Sequence, residues 1–430
     1  MRFKGYDSQL SAWGIPALYA ASAFTVGLMF PRVESYFFPS LVSPMSIASA
    51  IAIYSSIASG MIALTGIVFS LSFVMVQFSA TAYSPRLVML LARDPMMSHA
   101  LGIFTATFLY AVAALAAVDR HSSGKVPFLS VLVIVGLLLA SVFMFIALIR
   151  RIGLLQVNRM LIFTGDQGRN VINQLYPPLQ AAAPVIRRED FPAISCSQTL
   201  IHHGRPCAIQ SIDVGRLVGL AKSAEAVIEM TVSVGDTVVE SMQLLRVCNA
   251  REPISEAALR KGIELGAERT FEQDPKYALR LLVDIAIRAL SPAVNDPTTA
   301  VQALDQIEDL LLRLGQRQLE IGDFRDAEGK LRLIVSFPSW EDLLRLSFDE
   351  ISFYGATSIQ VMRRMNALIR DLNPTLPEER RLALTYWEAR LDMLIARSFL
   401  SNEERTEASI GDRQGLGVPL QPSLEVQTKS

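Results

Sequence analysis

SYFFPSLVSPMSIASAIAIYSSIASGMIALTGIVFSLSFVMVQFSATAYSP, Ser35 to Pro85, carries no charged side chain. A run this long and apolar belongs in a bilayer, where roughly 20 apolar residues in one helix cross about 30 Å of hydrocarbon. Small and polar residues recur through it every seventh position, at Ser49, Ser56, Ala63, Ser70 and Gln77, beside a second row of Ala52, Ser59, Gly66, Phe73 and Ala80. The two rows adjoin on a helix and leave Ile53, Ile57, Met61, Leu64, Val68, Leu71 and Met75 mostly elsewhere. Such a narrow face either lets another helix approach closely or lines something wet. Ser56, Ser59, Ala63, Gly66, Ser70 and Gln77 are therefore the candidate pathway or helix-packing stripe.

The run is also too long for one crossing. A helix opened by Ser43 as N-cap and Pro44 at its first position and continued to Tyr83 would measure about 60 Å. The reading is that Gly60 to Ala82 crosses the core, and that Met45 to Ser59 stands above the outer surface or bends away near Ser59-Gly60. Pro85 ends the helix by disfavouring helical backbone at Ser84.

Outward from this segment, three more stretches reach spanning length: about Trp13 to Phe30, Ala100 to Val118 and Val126 to Ile149. The first follows Arg2 and Lys4 as a signal peptide would, but no convincing small-residue cleavage site ends it, so it reads as an uncleaved anchor. Counting basic residues by side gives Arg2, Lys4, Arg86, Arg93, Arg150, Arg151 and Arg159 against Arg32, Arg120 and Lys125. The positive-inside rule then puts both termini in the cytoplasm of a bacterium, with the protein in its inner membrane. Cys196, Cys207 and Cys248 should be reduced thiols there.

The remaining composition is that of a soluble domain. Mean hydropathy is +0.34 and 51% of residues are hydrophobic, yet 19% are charged, too many for a chain that is all membrane. Of 40 basic and 41 acidic residues, eight and four lie at or before Arg150, leaving 32 and 37 beyond it. That acidic balance excludes a nucleic-acid footprint. The expected layout is a four-span domain over 1–150, an amphipathic helix and linker over 151–195, a cytoplasmic α+β domain over 196–400 and a disordered tail over 401–430. The fold class is thus an α-helical integral membrane part followed by a mostly helical α+β part with a small β hairpin or barrel element.

Within the soluble part, Asp213 can cap a helix, and Ala226 to Val232 and Thr237 to Val247 alternate as strands around Val234-Gly235-Asp236. That hairpin is similar to half of a barrel-sandwich hybrid, the fold of lipoyl and biotinyl carriers, but it lacks the carrier lysine and reads as structural. Asp274-Pro275 and Asp296-Pro297 each pair an N-cap with a first-position proline. They open helices to about Leu290 and Leu314; a strand at Leu331 to Phe337 and three further helices follow.

Four segments carry a resemblance: FSLSFVMVQFSATAYSPR at Phe69 to Arg86, LGIFTATFLY at Leu101 to Tyr110, ERTFEQDP at Glu268 to Pro275 and DIAIRALSPAVNDPTTAVQALD at Asp284 to Asp305. Together they resemble a bacterial predicted-membrane-protein family catalogued as domain of unknown function 2254. The resemblance runs from the second span to about Leu400 and implies a topology, with no activity attached.

The cytoplasmic motif supplies Arg269, Glu272, Asp274, Asp284, Arg288, Asn295 and Asp296. Paired carboxylates such as Glu272 and Asp274 are the type that bind hard cations or exchange protons. The plainer reading makes Asp274 and Asp296 caps, and Arg280, Asp284 and Arg288 ion-pair partners four residues apart. Cys196, His202, His203 and Cys207 lack the paired spacing of a structural zinc site, so neither a metal nor a cofactor is expected. No nucleotide loop, nucleophile elbow or zinc-protease motif occurs. Three functions follow: a homo-oligomeric channel or transport protein with a cytoplasmic vestibule, a membrane-anchored sensor or scaffold with a cytoplasmic protein partner, and an enzyme at the membrane surface.

Overall fold

The computed structural model describes residues 14–38, 40–41, 43–82, 95–120, 126–152, 157–179 and 195–417. The chain divides into two compact units, residues 1–156 and 157–430.

The first unit holds α1 (Gly14–Phe37), α2 (Ile47–Ala82), α3 (Pro95–Arg120) and α4 (Phe128–Ile152). Each contains a stretch long and apolar enough to cross a membrane: Gly14–Phe37, Ile47–Ser70, Met96–Ala116 and Phe128–Arg150. α3 is central, packing against each of the other three, because its alanines let neighbouring backbones come near. α1 comes close at Gly27, where a Cβ would sit 2.8 Å from the Ala113 Cβ and 3.1 Å from the Tyr110 carbonyl.

α2 is one unbroken helix, and its first half, expected to stand above the outer surface or bend away, packs against α3 and α4. Ala50, Tyr54 and Ala58 are buried with Tyr110, Ala111 and Ala114 of α3 and Ile134 of α4. Met61 and Val68 continue the contact with Ala100, Phe104 and Leu148. Residues spaced by four form a strip that fits the alanines of α3, and among the described residues an apolar stretch of spanning length runs over Ile47–Ser70. There is no break at Ser59-Gly60, and the helix runs on past Ser70 to Ala82, about 54 Å in all.

The second unit opens with α5 (Val157–Leu175). This helix, in the segment expected to be amphipathic, packs against α8 (Pro275–Ala289) and α9 (Pro297–Gly315). Gly168 lies against Leu310 and Ala278, and Arg169 pairs with Asp166 and, at 2.7 Å, with Asp309. The strands are β1 (Cys196–Ile201), β2 (Cys207–Ile212), β3 (Val227–Met230), β4 (Thr237–Val238), β5 (Gln243–Cys248), β6 (Ile263–Gly266), β7 (Asp323–Arg325) and β8 (Leu331–Ile334). Between them lie α6 (Val214–Ser223) and α7 (Glu256–Arg260). They form a five-stranded sheet ordered β1-β5-β3-β8-β7 and a three-stranded sheet ordered β4-β2-β6. Only β3 and β8 pair in parallel. The expected simple hairpin around Val234-Gly235-Asp236 is therefore split: β3 and β5 pair in one sheet, and β4 leaves to pair with β2 in the other.

The helical part closes with α10 (Trp340–Gly355), α11 (Ile359–Leu372), α12 (Glu378–Ser398) and α13 (Asn402–Ser409). Arg364 of α11, only 3% exposed, binds Asp305 and Glu308 of α9. Arg380 donates to the carbonyls of Leu314 and Arg317 at the end of α9, where a cation complements the helix dipole. Residues 401–417, expected to lack structure, are folded onto this layer. Ser401 and Glu404 form a capping box for α13, Ala408 is buried, and Asn366 donates to its carbonyl.

The cysteines also depart from expectation. Antiparallel pairing sets Cys196 opposite Cys248, and the two form a disulfide, leaving Cys207 free.

Candidate functional site

On α2 the buried residues Ala50, Tyr54, Ala58, Met61 and Val68 define one side of the helix. Ser49, Ser56, Ser59, Ala63, Gly66 and Ser70 are all exposed, and at 3.6 residues per turn their row is centred about 180° from the buried one. A Cβ placed at Gly60 or Gly66 meets nothing within 4 Å. Among the described residues the stripe is thus not a seam between helices of one chain; it faces away from the helices that pack α2. Gln77 lies beyond the residues whose side chains are described.

The interior of the first unit holds a polar group that the sequence reading passed over. Glu34 of α1 is 2% exposed. Its carboxylate accepts from the Leu129 backbone N–H at 2.6 Å, and from the Ser130 backbone N–H and hydroxyl, both at 2.8 Å. These belong to the first turn of α4, whose N–H groups have no partner within the helix and whose dipole favours an anion. The acid locks α1 to the start of α4. Tyr110 donates to the Ser130 carbonyl at 3.3 Å, while the Tyr54 hydroxyl, equally buried, has no hydrogen-bond partner among the described residues. Farther along, Thr107 of α3 and Ser141 of α4 share a hydrogen bond of 2.9 Å, both fully buried. Glu34 is the last charge before the uncharged run, and the nearer of its two donor residues is 95 residues away.

In the second unit the motif residues take part in helix caps and ion pairs. Asp274 caps α8 by accepting from the Tyr277 N–H at 3.2 Å, and its Oδ2 accepts from Arg269 Nε at 2.9 Å and Nη2 at 2.7 Å. Burial pushes its carboxyl above the ordinary range, with the Arg269 guanidinium opposing. Arg269 also lies 5.1 Å over the Tyr277 ring. Glu272, two residues before Asp274, is exposed. Asp284 accepts from Arg280 at 2.7 Å, and Arg280 reaches across to Glu350 of α10 through two bonds of 2.6 and 2.8 Å. Arg288 and Asn295 are exposed, Asn295 with φ 49° in the turn before α9. Asp296 caps α9 through the Thr299 N–H and hydroxyl. This arrangement suits helix starts and helix–helix joints.

The cysteine and histidine group is dispersed. His202 Nε2 lies 3.7 Å from Cys207 Sγ and 3.1 Å from the Arg205 carbonyl, His203 pairs with Glu240, and Cys196 is bonded elsewhere. Cys196, Glu229 and Cys248 do bring their ligand atoms within 4.8 Å of one another. With the two sulfurs joined, no thiolate is available to a metal, and Glu229 is held by Arg246 at 2.6 Å.

The chain is 30% identical over 320 residues to the uncharacterized protein Rv1290c of Mycobacterium tuberculosis and, equally, to the uncharacterized protein Mb1321c of Mycobacterium bovis. The aligned part covers 72% of this chain and 61% of each relative, so the chain spans about three fifths of their length. No solved structure matches. The family model described as "Predicted membrane protein (DUF2254)" matches residues 9–371, through all four apolar helices and most of the second unit, and the chain belongs to that family.

Proposed function

We propose that this multi-pass membrane protein is a homo-oligomer of channel- or transport-like character, whose subunits meet through the exposed small-residue face of α2. The observation that carries the reading is the placement of Ser56, Ser59, Ala63, Gly66 and Ser70 on the side of α2 opposite its packed side. Lipid chains gain nothing special from a serine- and glycine-rich strip, whereas a second helix gains close backbone contact and hydroxyl hydrogen bonds. Ser59 and Ser70 are the hydroxyls that such an assembly turns toward a shared pathway. Both termini and the soluble unit lie in the cytoplasm of the bacterium in this reading, supported by the basic-residue count.

The test is cysteine cross-linking in lipid nanodiscs combined with planar-bilayer recording. Ser59→Cys and Ala63→Cys should form covalent dimers, and Gly66→Leu should reduce both cross-linking and conductance. A single-chain mass in nanodiscs together with electrical silence under voltage, tension and pH changes overturns the proposal. A scaffold for a cytoplasmic partner is the second reading, favoured by Phe353 and Tyr354 of α10, which stack edge to face at 5.3 Å and remain 72% and 51% exposed.

A further inference from the structure

α12 is apolar on two sides. One side, Leu384, Trp387, Leu391 and Ile395, is buried in the second unit. The other carries Leu382, Tyr386, Ala389, Met393 and Ala396, all exposed, with Leu382, Tyr386 and Met393 at 78%, 59% and 65%. Leu400, just past the helix end, is 90% exposed. The spacing of the outer row alternates four and three, the heptad pattern of a two-helix seam. A helix that needed only to cover its own domain has no use for the second row.

Charge identifies the occupant. With Leu382, Ala389 and Ala396 as d positions and Tyr386 and Met393 as a positions, Arg390 and Arg397 fall at e and Asp392 at g. In a parallel pair a g residue faces the e residue five positions later in the other helix. Asp392 would then meet Arg397 of a second copy, and by symmetry Arg397 would meet that copy's Asp392. An antiparallel pair would instead set arginines at e against arginines at e. The alanines at two of the d positions suit close approach. No salt bridge occupies Asp392 or Arg397 among the described residues, so both are available for this exchange.

We infer that the outer face of α12 pairs in parallel, two-fold fashion with α12 of a second copy of this chain. The inference adds a soluble contact that does not depend on the α2 face.

Full-length protein in nanodiscs tests it by same-residue disulfide cross-linking. Ala389→Cys and Ala396→Cys, each in a Cys207→Ser background, should give covalent dimers on mild oxidation. Glu388→Cys, off the seam, should not. Asp392→Arg should cut the Ala396→Cys dimer yield several-fold, and adding Arg397→Asp should restore it. Absence of dimer at both seam positions overturns the inference, as does equal yield at position 388 or a yield indifferent to the charge changes. The Ser59→Cys cross-link is read on the same preparations: dimers there without dimers on α12 remove this inference and leave the α2 assembly standing, and the reverse removes the α2 assembly alone. The cysteine variants at exposed alanines test the seam even if a charge variant fails to fold.

Discussion

Gly235 joins the family motif to the strand region at a single backbone atom. Its φ is +88°, and a Cβ there would lie 2.2 Å from Asp274 Oδ2 and 2.9 Å from Arg269 Nη2. Gly235→Ala should therefore displace the carboxylate that both caps α8 and holds Arg269, costing about 2–4 kcal/mol. Gly329 is the control: its φ is +80° but its Cβ direction is open, so Gly329→Ala should cost only about 1 kcal/mol of backbone strain. Denaturant unfolding followed through the second unit compares them, and equal losses would mean that strain alone matters at Gly235. At this scale the sequence reveals side chains whose partners are local. Asp274-Pro275 and Asp296-Pro297 declare helix starts within three residues of their hydrogen bonds. Glu34 does not, because its donors at Leu129 and Ser130 are brought to it only by packing of α1 beside α4.

Between elements, Arg280 is the strap from α8 to α10. Its two bonds to Glu350 hold that carboxyl below its ordinary value of 4.5. The unfolded chain, with the higher value, takes up the proton first as pH falls. The stabilisation is therefore complete above the unfolded value and is lost as pH drops through the lower folded one. Glu350→Gln should cost about 1 kcal/mol at neutral pH, the modest worth of a partly exposed pair. The difference from the native protein should shrink toward zero on acidification below 4.5, measured as unfolding midpoints across that range; a gap constant with pH would assign the effect to packing. Whole elements are legible where one periodicity dominates. α8, α9, α10 and α12 begin and end close to their caps and prolines. α2 is harder, because hydropathy alone cannot tell which half of an overlong apolar helix finds neighbours; Ala50, Tyr54 and Ala58 form a packing strip only once α3 offers its alanines. β4 is likewise two residues of strand whose partner is chosen by β2, and α13 rests on a capping box short enough to be lost among polar residues.

For the molecule as a whole, two features pull the second unit toward opposite compartments. The basic residues flanking the apolar helices favour a cytoplasmic unit, whereas a disulfide such as Cys196–Cys248 persists mainly in oxidising compartments. Cys196 is exposed, on a strand at the edge of its sheet, open to whatever reductant its compartment holds. In a cytoplasmic unit all three cysteines should be thiols in living cells, and the 196–248 pair should close only after purification in air. Acid-quenched whole cells alkylated before lysis should then carry three adducts per chain, air-purified protein one adduct, at Cys207, and a reporter fused to the C-terminus should be active inside the cell. The closed pair bridges a sequence separation of 52 residues, a loop whose closure entropy corresponds to about 4 kcal/mol in the chain-entropy account, so the oxidised protein should also unfold at a higher temperature than the reduced one. One adduct per chain in quenched cells, with a reporter active only on the outer side, would reverse the orientation, since a bridge maintained in the cell and an external terminus are what an exported unit requires.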